Sequence, residues 1–155
     1  MNASNESAVL DAAGIARKLR PVMDGHPEIL CAYLFGSRAR GTAGPASDTD
    51  IAVFRTLGVR EPDRPWQTYW GDLHAELAGA LGQPAGKVDL VLLDEVRDPL
   101  LRHRATWMGR SVYCRDEAAR TALEARILIE FMDTERLRAI QFDAVKRAVG
   151  IRRGH

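Results

Sequence analysis

At 155 residues the chain is long enough to bury a core as one domain and too short for two. Its residues are 46% hydrophobic and 28% charged, an ordinary globular balance, and a net charge of +1 that conceals opposite local biases identifies no partner class. No run reaches the roughly eighteen apolar residues of a membrane span, and the start, MNASNES, is polar, so neither a spanning nor a targeting segment is expected and the protein reads as cytoplasmic. Cys31 and Cys114 then read as reduced thiols, Cys31 as a small core residue.

Ser7 is placed to cap a helix whose apolar positions Val9, Leu10, Ala13, Ala16 and Leu19 share a face. Pro21 and the cluster Asp24-Gly25-His26-Pro27 are expected to end it. Ile29 to Phe35 is apolar without alternation, which predicts a central strand covered on both faces. Gly36-Ser37 breaks that run. A short helix over Arg38 to Gly41 and a loop from Thr42 to Ser47 lead to a second strand, Thr49 to Phe54. Beyond the polar connection Arg55 to Arg64, Trp66, Tyr69, Trp70, Leu73, Leu77, Ala80 and Leu81 keep helical spacing, and Gly82 is placed to stop it. Lys87 to Leu93 reads as a third strand, Asp98 to Trp107 as a helix, and Gly109 to Cys114 as a short edge strand. Asp116 caps a long helix to about Asp133, and a last helix runs from about Glu135 to Val149. This order predicts an α/β (α+β) domain, a small mixed sheet flanked by helices, with its core over about residues 8–115 and a helical extension over about 116–150.

The chemistry gathers between Gly36 and Asp50. Gly lets the backbone approach a ligand closely, amides at the helix start can donate to phosphate oxygens, and the Ser37 hydroxyl adds a donor. Alternation along the second strand turns Asp48 and Asp50 the same way and Thr49 the other. Two such carboxylates repel unless a cation lies between them, and Mg²⁺ prefers one or two carboxylates with phosphate oxygens. Asp89 interrupts the apolar strand Val88 to Leu93, where an unpaired charge is expensive; the bland alternative is a pairing with a core Arg or Lys. Should its strand lie beside that of Asp48 and Asp50, three carboxylates meet at one site. That set suits two-metal phosphoryl transfer: two Mg²⁺ on Asp48, Asp50 and Asp89, Asp89 also as general base, and Arg38 and Arg40 facing developing phosphate charge or simply solvated. Neither a G-x-x-x-x-G-K-[ST] loop nor a G-x-G-x-x-G fingerprint is present.

On these residues the chain resembles the DNA polymerase β-like nucleotidyltransferase superfamily, marked by Gly-Ser, a spacer, Asp-x-Asp and a later third acid: Gly36, Ser37, Asp48, Asp50 and Asp89. The stretches LFGSRARG, SDTDIAV, KVDLVLLD and GRSVYCRDEAARTALEARILIEFMD resemble the minimal nucleotidyltransferases (MNT, MntA-like), encoded beside HEPN-domain toxins, over residues from about 10 to 135. The resemblance implies an antitoxin that uses ATP to attach AMP to a tyrosine of a HEPN RNase, in a hetero-oligomeric complex and without direct nucleic-acid binding. A chain with no second domain to enclose a small substrate fits an acceptor carried on a partner protein. Two rivals are an aminoglycoside-type nucleotidyltransferase and an antitoxin that acts by binding alone.

Other features have plainer readings. The Trp66/Tyr69/Trp70 stripe is expected in the core rather than on an adenine. His26, His74 and His103 lack metal-ligand spacing and read as surface or helix-end residues. The excess of Lys and Arg from Thr134 onward reads as a solvated helix face with a loose basic end.

Overall fold

The computed structural model describes residues 10–56, 58, 62–148 and 150. Ser7 and Val9, and in the basic tail Val149, Arg152 and Arg153, lie outside them. Four strands form one mixed sheet in the order β3-β2-β1-β4, with β1 Ile29–Phe35, β2 Thr49–Arg55, β3 Val88–Leu92 and β4 Arg110–Cys114. β1 runs antiparallel to β2 and β4, whereas β2 and β3 are parallel, joined through the helix α3, Trp66–Leu81. The apolar run Ile29 to Phe35 is accordingly central and the Arg110–Cys114 strand an edge, as their patterns predict.

Two cores cover the sheet. On one face α1 (Ala12–Asp24) and α3 pack Ile15, Leu19, Met23, Leu73 and Leu77 against Ala32, Leu34, Ile51, Val53 and Val88. On the other, Ala105 of α4 (Pro99–Thr106) and Ile127 of α5 (Glu117–Ala148) meet Leu30, Cys31, Tyr33, Ala52, Phe54 and Leu93. Leu30 and Cys31 are neighbours in sequence yet share this second face. The β1–β2 register slips between Ile29 and Cys31, so Leu30 is an extra residue, a β-bulge that resets the alternation. Both cysteines are free, and burial pushes the Cys31 thiol up to about 12.

The helices differ from expectation at three points. Asp11 caps α1, its carboxylate accepting from Gly14 N at 2.8 Å. Pro21 lies inside the helix, which runs on to Gly25. A proline there removes the bond to the Arg17 carbonyl, and both residues are exposed, where water substitutes. The expected break near Thr134 is absent, and α5 is one helix of 32 residues. Thr134 Oγ1 donates to the Glu130 carbonyl at 2.8 Å, so the hydroxyl is absorbed within the helix instead of capping a new one.

His26 is buried rather than at the surface: its Nδ1 lies 2.8 Å from Tyr69 Oη and its Nε2 2.8 Å from Glu76 Oε2. Tyr69 is in the core, as expected of the aromatic stripe, with Trp66 and Trp70 packed partly buried beside it. α5 is held by Ile127, fully buried, and by Glu124, whose carboxylate accepts from Tyr33 Oη at 2.7 Å. Its outer half leaves Leu137, Ile140, Phe142 and Val145 exposed. Ile127→Ala is therefore expected to cost about 3 kcal/mol in urea denaturation, because the other α5 side chains in this cluster, Ala119 and Leu123, are only partly buried. No helix among the described residues is long and apolar enough to cross a membrane.

Candidate active site

β1 ends at Phe35, and Gly36 opens the five-residue helix α2, Gly36–Arg40, with φ +69°. Gly36 lies so close to Asp50 that a Cβ would stand 2.1 Å from Asp50 Oδ2. Only glycine satisfies both the backbone angle and the space. The antiparallel register sets Phe35 opposite Asp50, which brings the small-residue turn and the carboxylate together across the sheet.

Asp89 is the register partner of Asp50 on the neighbouring parallel strand. Side-chain alternation fixes the face: Ile51 and Val53 point to the α1–α3 core, Ala52 and Phe54 to the other. Asp50 thus shares the α4–α5 side, as does Asp89, which alternates with Val88 and Leu90 and lies in phase with Val91 and Leu93. Thr49 faces the opposite way, buried, its Oγ1 donating to Gln83 Oε1 at 2.9 Å. Partial burial and the nearby charges of Asp89 and then Asp48 raise the Asp50 pKa, and Arg40 and Arg38 oppose the rise. An acidic pair whose repulsion is incompletely offset by protein cations is a donor set suited to a divalent ion.

Residues 17–118, more than half of the chain, match the family model described as polymerase beta, nucleotidyltransferase. The chain belongs to the polymerase beta nucleotidyltransferase family. No curated protein matches it. Among solved structures, this nucleotidyltransferase is similar to a chain of a toxin–antitoxin crystallised with AMP-PNP, at 24% identity and TM-score 0.62 over 84% of this chain and 97% of that one. It is also similar to a chain of a mutant MntA–HpeT toxin–antitoxin, at 26% identity and TM-score 0.60 over 88% and 98%. A third likeness is to a chain of the tri-AMPylated Shewanella oneidensis HEPN toxin in complex with MNT antitoxin, at 22% identity and TM-score 0.58 over 84% and 95%. These likenesses establish the fold: a mixed sheet flanked by helices, with a C-terminal helix.

The nucleotidyltransferase places its remaining marked residues less uniformly. Asp48 precedes β2, half-exposed, and its Oδ1 lies 3.2 Å from Lys87 Nζ, which also donates to the Ala46 carbonyl. Lys87 pairs with Asp48 and not with Asp89, although residues two apart on a strand would share a face; it stands outside β3, at the end of the 3-10 turn Ala85–Lys87, and its reach to Asp48 has no signal in strand periodicity. Among the described residues no three His, Cys, Asp or Glu side chains are drawn together as a metal-holding group. The Lys87–Asp48 ion pair is about half-exposed at both ends, and such pairs are worth only about 0–1 kcal/mol.

Ser37 accepts from Thr42 N at 3.0 Å through its carbonyl, and its hydroxyl has no partner among the described residues. Arg40 is exposed. Arg38 spans the loop: Nε donates to the Asp48 carbonyl at 3.1 Å and Nη2 to the Ser47 carbonyl at 2.6 Å. Two forked bonds to consecutive carbonyls fix where β2 begins, and so where Asp48 stands. Arg38→Ala is expected to weaken Mg²⁺–AMP-PNP affinity about tenfold by titration calorimetry. Arg38→Lys is expected not to restore it, since an ammonium cannot span two carbonyls in a planar fork.

Proposed function

We propose that the chain is an antitoxin enzyme that transfers AMP from ATP to a tyrosine hydroxyl of a HEPN-domain RNase toxin and silences it, in a cytoplasmic complex with that toxin. The observation that carries this reading is the pairing of Asp50 with Asp89 across parallel strands, with Gly36 pressed against Asp50. Support comes also from the family and from the likeness to proteins of HEPN toxin–antitoxin complexes, one with AMP-PNP and one with a tri-AMPylated toxin.

Two Mg²⁺ would be held by Asp48, Asp50 and Asp89, where they would neutralise the carboxylates and polarise the α-phosphate and the acceptor hydroxyl. Gly36 leaves room for the Asp50 carboxylate against the turn, and the free Ser37 hydroxyl donates to a phosphate oxygen. Arg40, near enough to act on the Asp50 charge, faces the phosphates, while Arg38 holds the loop that carries Asp48. The acceptor oxygen attacks the α-phosphorus in line, the bond from that phosphorus to the bridging oxygen breaks, and pyrophosphate leaves. Asp89 takes the hydroxyl proton.

The test is intact mass of a co-expressed HEPN toxin after incubation with ATP and Mg²⁺. The expected result is a gain of whole AMP units on tyrosine that disappears with Asp89→Ala. An unmodified toxin with the wild-type enzyme, or full modification by the Asp89 variant, overturns the reading.

A further inference from the structure

β3 is the outer strand of the sheet, and its backbone is legible group by group. Leu93 N donates to Val53 O at 2.9 Å, so Leu93 faces β2; alternation turns Val91 and Asp89 inward as well and Val88, Leu90 and Leu92 outward. Some outward groups are already used. Val88 N–H bonds the Ala85 carbonyl, Val88 O meets His74 Nε2, and Leu92 O accepts from Glu95 N at 3.2 Å. The Leu90 N–H, the Leu90 carbonyl and the Leu92 N–H have no partner among the described residues.

A groove of about 750 Å³ runs along this edge, between Trp70 and His74 of α3 on one side and Glu95 and Val96 on the other. Asp89 lines it too, which makes it continuous with the candidate catalytic face. The Trp70 indole Nε1 is buried and has no acceptor. Among the described residues Asp89 and Glu95 are the groove's charged side chains, and no Lys or Arg lines it.

We propose that this edge receives an extended segment of the acceptor polypeptide, bearing lysine or arginine, as an added strand beside β3. The proposal rests on the reading that the acceptor is a protein. Open backbone groups on alternate residues match the main chain of a strand and give affinity without demanding a particular sequence. Glu95, which takes no part in the proposed metal site, selects a basic segment. It also disfavours a second copy, whose own β3 would bring its Glu95 against this one. A strand paired at Leu90 sends its neighbouring side chain to the face of Asp89, and a tyrosine there has its hydroxyl beside that carboxylate.

The test is amide hydrogen exchange of the full chain with a short peptide of alternating lysine and valine carrying one central tyrosine. The expected result is slowing of the Leu90 and Leu92 amides by about tenfold or more, and no slowing with the same peptide N-methylated on alternate amides. Glu95→Lys is expected to weaken peptide affinity about fivefold while Mg²⁺–AMP-PNP binding stays unchanged. Unslowed exchange at Leu90, equal slowing by the N-methylated peptide, or slowing that rises with protein concentration in the absence of peptide overturns the proposal. Toxin modification with an unprotected Leu90 removes the docking strand alone. Protection of Leu90 without any AMP transfer removes the enzymatic reading and leaves the docking strand in place.

Discussion

Asp50→Asn is expected to abolish AMP transfer while leaving the metal-free protein at least as stable as wild type at neutral pH. Burial and the charges of Asp89 and Asp48 raise the Asp50 pKa. Its ionised form is therefore disfavoured in the folded chain relative to the unfolded one. A carboxyl whose folded pKa is raised contributes stability below its unfolded value, and that contribution is lost as pH climbs through the raised value. At neutral pH the charge is a burden, and the amide removes it. Thermal melts against pH should show the two proteins converging below about pH 3.9, the unfolded carboxyl value, and the variant equal or higher above the raised pKa. With Mg²⁺ and AMP-PNP the order reverses: the wild type gains stability by ligand linkage and the variant does not. Transfer should fall about a thousandfold or more, the scale expected when charge stabilisation at a phosphoryl centre is removed. A variant that loses stability in metal-free buffer at neutral pH contradicts the electrostatic account of the site.

Gly36→Ala is the second large effect, and its cause is steric. The residue sits at φ +69°, where an L side chain costs about 1 kcal/mol. The added Cβ would stand 2.1 Å from Asp50 Oδ2, too close to coexist. Because the obstructing atom is the end of a side chain, the carboxylate swings away and the fold survives. Displacing a catalytic group by about 1 Å is enough for a hundredfold loss of transfer. Gly41 provides the control: φ is +72° and nothing lies within 4 Å of where a Cβ would stand, so Gly41→Ala carries a similar backbone penalty with no displaced carboxylate. The pair should match in denaturation midpoint and differ in transfer by about two orders of magnitude.

The sheet was readable because its strands announce themselves by composition. Ile29 to Phe35 is apolar throughout and lies in the centre; Arg110 to Cys114 is short and lies at an edge. Asp89 stood out for the same reason, as one charge in an apolar strand, and its pairing with Asp50 followed once β2 and β3 proved adjacent. What periodicity carries poorly is the third dimension of short polar segments. The hold of Arg38 on Ser47 and Asp48, and of Lys87 on Asp48, depends on how a loop and a 3-10 turn fold back, which no local pattern encodes. Helix boundaries failed where a residue acts within the helix against its usual preference. Pro21 stays inside because its lost bond is at an exposed position, and Thr134 stays inside because its hydroxyl turns back on Glu130.

The extra residue at Leu30 has a consequence for how the chain tolerates change. From α1 to Gly36 the two sides of β1 are decided by counting odd and even positions, and Leu30 inverts the count once on the way. Deleting it with both ends of the strand fixed would force a mismatch between Tyr33, which must reach Glu124, and Leu34, which must fill the opposite layer. A one-residue gap or insertion in this strand is thus a topological error rather than a local defect, and evolution can lengthen the loop at Thr42 to Ser47 far more freely than the seven residues before Gly36.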